Sequence, residues 1–402
     1  MDKLTLKELA LPMIKAIDSF NYLLKSHHRR VAIISYNIGR ALDLSNDELF
    51  ELVIAASLHD IGALSVQERD MLIKEDVTSP QPHCIMGYHM LNSFDVFKNI
   101  AQAKEGKIPY VSHIIHLADR IDVLIDQGTF ILNQKDTITE VIHHKVGTLF
   151  HPEVFEGFIK ASKGDIFWIE ISNMSLDQLF KKINFSIDFN LTIDNVIGFA
   201  QAMSQIIDFR SKFTAAHSYT VAHLASLLGK YFNFSEEKCK KLMIAGYLHD
   251  IGKIGIDPAL IEKDGPLTDE EYNIVKLHSY YSGQILSELN TSEWFSEIVE
   301  WTERHHEKSD GSGYPYALDD NVLDEGVKLL AFADIITALM ETRPYRKSMS
   351  IDDAFNIIDE KLAFNISSKM FKEIKEHKNE INDMVLECQK HTYKEYNLGR
   401  DS

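Results

Sequence analysis

Long apolar runs, positive charge, paired cysteines and strand signals are all scarce in this 402-residue chain. No apolar stretch approaches the ~20 residues that a membrane-spanning helix needs. The first residues, MDKLTLKELALPMIKAIDSF, are amphipathic and hold no signal-peptide apolar core, so a cytoplasmic protein without a membrane anchor is expected. Cys84, Cys239 and Cys388 lie far apart with no CxxC pair, which argues against a disulfide framework and against a cysteine zinc site. The formal net charge of -18 should repel duplex nucleic acid and anionic lipid. A phosphate-bearing ligand would then need metal ions and a few placed cations to hold it. What remains is ordinary for a soluble globular chain, 45% apolar and 25% charged, and long enough for two or three domains.

Most segments repeat their apolar residues every three to four positions, which predicts an all-α protein. In 239–250, Leu242, Ala245, Gly246 and His249 share one helical face; in 49–60, Leu52, Ala55, Ala56 and His59 do the same. Gly252 and Gly62 follow and are expected to terminate these helices. Breaks are expected at 257–259, 264–271 and 343–350.

The chain also repeats itself. KSHHRRVAIIS (25–35) and AASLHDIGALS (55–65) match AHSYTVAHLAS (215–225) and AGYLHDIGKIG (245–255). His27 and His59 are 32 positions apart, as are His217 and His249. The offset between copies is 190 at these pairs, 195 between His83 and His278, and 215 between Asp119 and Asp334. Most of that growth is the segment carrying HHEKSDGSGYP (305–315), which the first copy lacks. So long a period means domain duplication, with domains expected at 1–188 and 189–402.

The second copy concentrates metal-ligand chemistry. His217, His249, Asp250, His278, His305, His306 and Asp334 are seven candidate nitrogen and oxygen ligands, too many for one tetrahedral zinc. The set suits two octahedral ions sharing a carboxylate, a device that activates water and neutralises a phosphoryl group. A lone histidine on a helix is usually packed or solvated, and 18 histidines allow chance clustering. The repeated spacing and the His-His-Glu run weigh against chance. Asp334 taken alone reads more readily as a polar residue on a helix face.

These residues carry a resemblance. His217 with Val221, HDIGK at 249–253, His278, HHE at 305–307, DGSGYP at 310–315, Asp334 and RPYR at 343–346 resemble the HD-GYP family of HD-superfamily phosphohydrolases, over about 190–375. The resemblance implies two tandem HD-domain helical bundles. It implies one ion among His217, His249, Asp250 and Asp334, with Asp250 bridging to a second held by His278, His305 and His306. Iron or manganese is the implied metal. The implied activity is hydrolysis of a cyclic dinucleotide to the linear dinucleotide or to GMP. Cyclic di-GMP is the default substrate, with 3',3'-cyclic GMP-AMP as the nearest rival. The different-class rival, an inactive cyclic-dinucleotide-binding regulator, sits poorly with an intact ligand set.

The resemblance gives Lys253 a catalytic role beside the metal-bound phosphate, against the bland reading of a surface lysine at a helix end. Arg343, Arg346 and Lys347 are expected to bind substrate phosphates, as guanidinium groups suit. Tyr314 and Pro315 read as loop architecture, with Gly311 and Gly313 supplying backbone freedom. In the family this loop is also linked to signalling partners. The apolar faces of tandem bundles suit packing within the chain or in a homodimer. Some family members carry a third-metal glutamate four residues before the first histidine; here that position is Phe213, so two ions are expected. The first copy keeps His27, His59, Asp60, His83 and Asp119, has Ala63 in place of Lys253, and lacks the His-His pair and the GYP loop. A regulatory or supporting domain is expected there, ahead of a one-metal hydrolase or a purely structural metal site.

Overall fold

A computed structural model describes Leu11, Ile14 and residues 26–59, 110–183, 192–208, 216–261, 263, 265–287, 293–342, 347–361 and 367–398. The described residues are helical, with two isolated bridges and no strand among them. They fall into two compact units, one within 4–190 and the other within 191–402. Among the described residues, no helix is long and apolar enough to cross a membrane.

In the first unit, α1 (His27–Ala41) is entered through Ser26, whose φ of 65° is left-handed. It packs against α2 (Asn46–Ser57), α3 (Tyr110–Val123), α5 (Pro152–Ser162) and α6 (Asp165–Asn173); α4 (Lys135–His143) and α7 (Leu176–Lys182) are the other helices of this unit among the described residues. Helix α2 starts with a reciprocal cap. The Ser45 hydroxyl accepts from Glu48 N at 3.3 Å and the Glu48 carboxylate accepts from Ser45 N at 2.8 Å. Such a cap contributes about 1 kcal/mol by satisfying amides that have no intrahelical partner. Edge-to-face contacts of Trp168 with Phe158 and Phe167 fill the core.

The second unit comprises α8 (Ile193–Asp208), α9 (His217–Tyr231), α10 (Glu236–Leu248), α11 (Pro258–Ile261), α12 (Asp269–Ser287), α13 (Glu293–Arg304), α14 (Glu325–Met340), α15 (Ile351–Lys361), α16 (Ser368–Glu376) and α17 (Lys378–Leu398). Helix α9 packs against α10, α14 and α17; α10 packs against α8 and α13. The α9–α10 contact is backbone-close, since a Cβ on Gly246 would stand 2.5 Å from Ala222 Cα. The buried Trp301 of α13 donates from Nε1 to Asp324 Oδ1 at 2.6 Å, and the same oxygen caps α14 through Gly326 N at 2.7 Å. The end of α13 and the start of α14 are thereby tied together.

Gly252 differs from its expected role. Helix α10 ends at Leu248, and Gly252 lies inside a 3-10 turn, Ile251–Gly255, outside the left-handed region. The glycine is needed because a Cβ would overlap the His278 carbonyl and come within 2.5 Å of Ser282 N. That contact lets the turn lie flat on α12. Gly62 lies outside the described residues.

Candidate metal centre

Five segments deliver side chains to one buried point in the second unit. His217 opens α9, His249 and Asp250 directly follow α10, and His278 lies mid-way along α12. His305 and His306 directly follow α13, and Asp334 lies within α14. All seven candidate ligands come together. Asp250 Oδ2 faces His249 Nε2 at 3.2 Å and His217 Nε2 at 3.9 Å. Its other oxygen, Oδ1, faces His278 Nε2 at 3.4 Å. Asp334 Oδ1 stands 3.1 Å from His217 Nε2 and 4.0 Å from His249 Nε2. His278 and His306 bring their Nε2 atoms to 3.1 Å, close to the spacing of two nitrogens ~2.1 Å from one ion at a right angle. Donor atoms lie within 4.8 Å of one another in each of three groups: His217–His249–Asp334, His249–Asp250–His305 and His278–His305–His306.

The imidazoles are held in one tautomer. Nδ1 of His249, His278 and His305 each meets the carbonyl three residues earlier, at Gly246 (2.7 Å), Val275 (2.6 Å) and Thr302 (2.7 Å). A carbonyl only accepts, so Nδ1 carries the proton and Nε2 presents its lone pair. His217 achieves the same through the buried Glu341 carboxylate, 3.1 Å from its Nδ1. His305 Nε2 is buried without a hydrogen-bond partner. Converging lone pairs with an orphaned buried nitrogen fit a bound cation, and the residues therefore fit the ions that the resemblance implies.

The charges divide the centre in two. Burial opposes the charged form of His217, but the Glu341 and Asp334 carboxylates outweigh it and raise its pKa to about 10. Burial likewise opposes charging of His249, and Asp250 outweighs it, so this pKa is also raised. On the other side, burial and then the neighbouring His249 and His278 push His305 down to about 3. Burial also lowers His278 and His306, keeping them neutral and ready to ligate. Asp250 and Asp334 are held well below the usual carboxylate range, because the facing cations outweigh burial.

The sequence missed the residues that support this centre. Glu341 orients His217 and lies between Asp334 and the RPYR run without belonging to either. Ser282 accepts from Gly252 N and donates to His249 O, both at 2.8 Å, fastening the turn after the His-Asp pair onto α12. Buried Glu307 accepts from Tyr316 N at 2.6 Å and Leu318 N at 2.9 Å, pinning the GYP loop. Its place in the HHE run was the available signal. In that loop Gly311 has φ of 78°, whereas Gly313 is required by space: a Cβ there would come within 2.5 Å of Lys308 N. The Tyr314 ring lies 4.9 Å from that of His306, closer to the centre than loop architecture alone implies. Lys253 Nζ stands 2.5 Å from Asp250 Oδ2. Lys347 is exposed, and Arg343, Arg346 and Phe213 lie outside the described residues.

The first unit brings three of its retained residues together. His27 Nε2 and His59 Nε2 face Asp119 Oδ1 at 3.4 and 3.8 Å. Asp60, Ala63 and His83 lie outside the described residues.

The helical fold and this histidine–aspartate centre define an HD-domain protein, and the family model described as HD domain matches residues 201–363. The relatives that the chain matches are named as cyclic-dinucleotide phosphodiesterases. It is similar to 3'3'-cGAMP-specific phosphodiesterase 1 of Vibrio cholerae, 28% identical over 382 residues, covering 88% of this chain and 87% of that one. A cyclic di-GMP phosphodiesterase of Thermotoga maritima is 32% identical over 171 residues, 42% of this chain and 45% of that one. The crystal structure of V-cGAP3, a cyclic GMP-AMP specific phosphodiesterase of V. cholerae, shares the fold with a TM-score of 0.60 at 22% identity, covering 93% of this chain and 97% of that one.

Proposed function

We propose that the chain is a metal-dependent phosphodiesterase that hydrolyses a cyclic dinucleotide at its second unit. The observation that carries this reading is Asp250, whose two oxygens face two different histidine groups. One carboxylate between two nitrogen-rich pockets is what a pair of ions needs. When bound, two divalent ions such as iron or manganese would supply Lewis acidity toward the phosphoryl oxygens and an acidified water. His217, His249 and Asp334 would hold one, and His278, His305 and His306 the other. Lys253 offsets part of the carboxylate charge and offers an ammonium where negative charge grows on phosphorus. Arg343, Arg346 and Lys347 would hold the substrate phosphates. Cleavage gives the linear dinucleotide, and a second cut gives mononucleotides. Residues 189–402 are the catalytic domain, residues 1–188 a regulatory or supporting one, and the place of action is the cytoplasm.

Cyclic di-GMP is the substrate expected from the family. One observation favours 3'3'-cGAMP instead: the relative matched over nearly the whole chain carries that name, while the cyclic di-GMP relative matches 42% of it. Metal-loaded protein incubated with each substrate, with products resolved by chromatography, tests both. Turnover of neither would favour an inactive binding protein.

A further inference from the structure

We propose that Tyr272 and Lys276 of α12 form a subsite for a guanine base of the substrate, with the Tyr272 ring as the stacking platform and the Lys276 ammonium reading the edge of the base. This subsite presumes the phosphodiesterase reading of the second unit. It supplies what the metal ligands do not, because those act on phosphate and leave the base unread.

The rings form a path out of the centre. The half-buried Tyr314 ring lies 4.9 Å from that of His306, and the Tyr272 ring stands 6.4 Å from Tyr314 at an interplanar angle of 88°. Tyr272 is 48% exposed, so a large aromatic surface is open to solvent two ring contacts from the centre. A base stands one sugar away from its phosphate, which is the kind of reach this path covers. Bases stack on such rings with little regard to which base it is, at about 1–3 kcal/mol each.

Lys276 supplies the selectivity. One helical turn beyond Tyr272, it holds Nζ 5.3 Å from the centroid of the Tyr272 ring and 5.9 Å from that of Tyr314. Aromatic rings stack with centroids ~4.5–7 Å apart, so a base on Tyr272 would share that shell with the ammonium and turn an edge toward it. Lys276 forms no ion pair among the described residues, whereas Lys253 is committed to Asp250 and Lys263 to Glu271. An ammonium only donates. Guanine offers O6 and N7 as acceptors, while adenine places an amino donor where O6 would be, so Lys276 favours guanine.

Tyrosine–lysine pairs one turn apart also occur as plain helix-surface contacts. Such a contact leaves Tyr314 unexplained, since that ring comes from a separate loop and joins the pair to His306. The first copy adds a second observation. At the offset of 195 that aligns His83 with His278, it has Val77 and Gln81 in these two places. Ring and cation are both absent from the copy that lacks the His-His pair.

The test uses full-length metal-loaded protein, with kcat and KM measured on cyclic di-GMP, cyclic di-AMP and the base-free diester bis(p-nitrophenyl) phosphate. Tyr272→Ala should raise KM for cyclic di-GMP by ~10-fold or more, and Tyr272→Phe, which keeps the ring, should restore it. Lys276→Met should reduce the preference for cyclic di-GMP over cyclic di-AMP, read as a ratio of kcat/KM values, by ~10-fold. In Tyr272→Ala and Lys276→Met, KM for the base-free diester should move less than KM for cyclic di-GMP. Equal shifts on those two substrates, a Tyr272→Ala KM indistinguishable from wild type, or an unchanged preference in Lys276→Met would overturn the proposal. If the wild type binds the dinucleotides without cleaving them, the phosphodiesterase reading fails, and calorimetric Kd values judged by the same fold-changes decide the subsite. A wild type that binds neither dinucleotide overturns both.

Discussion

Replacing Glu341 tests a residue that meets His217 on the side away from the facing aspartates. Its carboxylate lies 3.1 Å from His217 Nδ1 and is buried, so the contact is a charge-assisted hydrogen bond shielded from water. Bonds of this class contribute about 1.5–3 kcal/mol. Loss of an outer partner of a metal-ligating histidine typically costs ~10–100-fold in metal affinity. Glu341→Gln keeps an acceptor oxygen but loses the charge, so ~10-fold is expected. Glu341→Ala removes both and should approach ~100-fold, about 2.7 kcal/mol. Competition against a chromophoric chelator measures the affinity directly. Turnover against metal concentration gives the second readout: both variants should recover near-wild-type kcat once metal is saturating. Unchanged affinity in both variants, or a kcat deficit that saturating metal leaves in place, would refute the reasoning.

Four further outcomes follow from the same geometry. Gly252→Ala forces a methyl against the His278 carbonyl and should destabilise the chain by about 3 kcal/mol, read as a lower urea midpoint; wild-type stability would be inconsistent with the packing. In chelated protein the His217 pKa, about 10 against an ordinary 6.5, makes its contribution to stability complete below about pH 6.5 and lost as pH rises to 10. Melting curves across that window should show the decline, and Glu341→Ala should flatten it. Lys253→Met should lower kcat by ~10²-fold with little change in KM, the usual effect of deleting one charge-stabilising donor. Asp334→Asn should abolish turnover while Asp119→Asn leaves it near wild type, and the reverse pattern would reassign the active unit.

The seven candidate ligands were legible in sequence because each sits in a short run with its own spacing, such as HDIGK and HHE, and the first copy repeats half of it. The all-α class was legible for a related reason: apolar residues recur with helical period along nearly every segment. The supporting groups were not. Glu341 lies seven residues beyond Asp334, and only the packing of α14 against the start of α9 brings its carboxylate to His217. Ser282 is one of many serines until the turn after Asp250 lands on it. Gly252 was read as a helix terminator because glycine commonly is one, and a tertiary contact with α12 proved to be its reason. In the first unit, Asp122 and Arg30 form their bond across 92 residues, a distance that periodicity does not span.

The central claim is that one buried centre, bridged by Asp250, cuts a cyclic dinucleotide. Its most direct test incubates metal-loaded wild-type and Asp250→Ala protein with cyclic di-GMP and with 3'3'-cGAMP, and resolves the products by chromatography. Linear dinucleotide from at least one substrate with the wild type, and none from either with Asp250→Ala, is the predicted result. Undiminished hydrolysis by Asp250→Ala, or no hydrolysis of either substrate by the metal-loaded wild type, would contradict it.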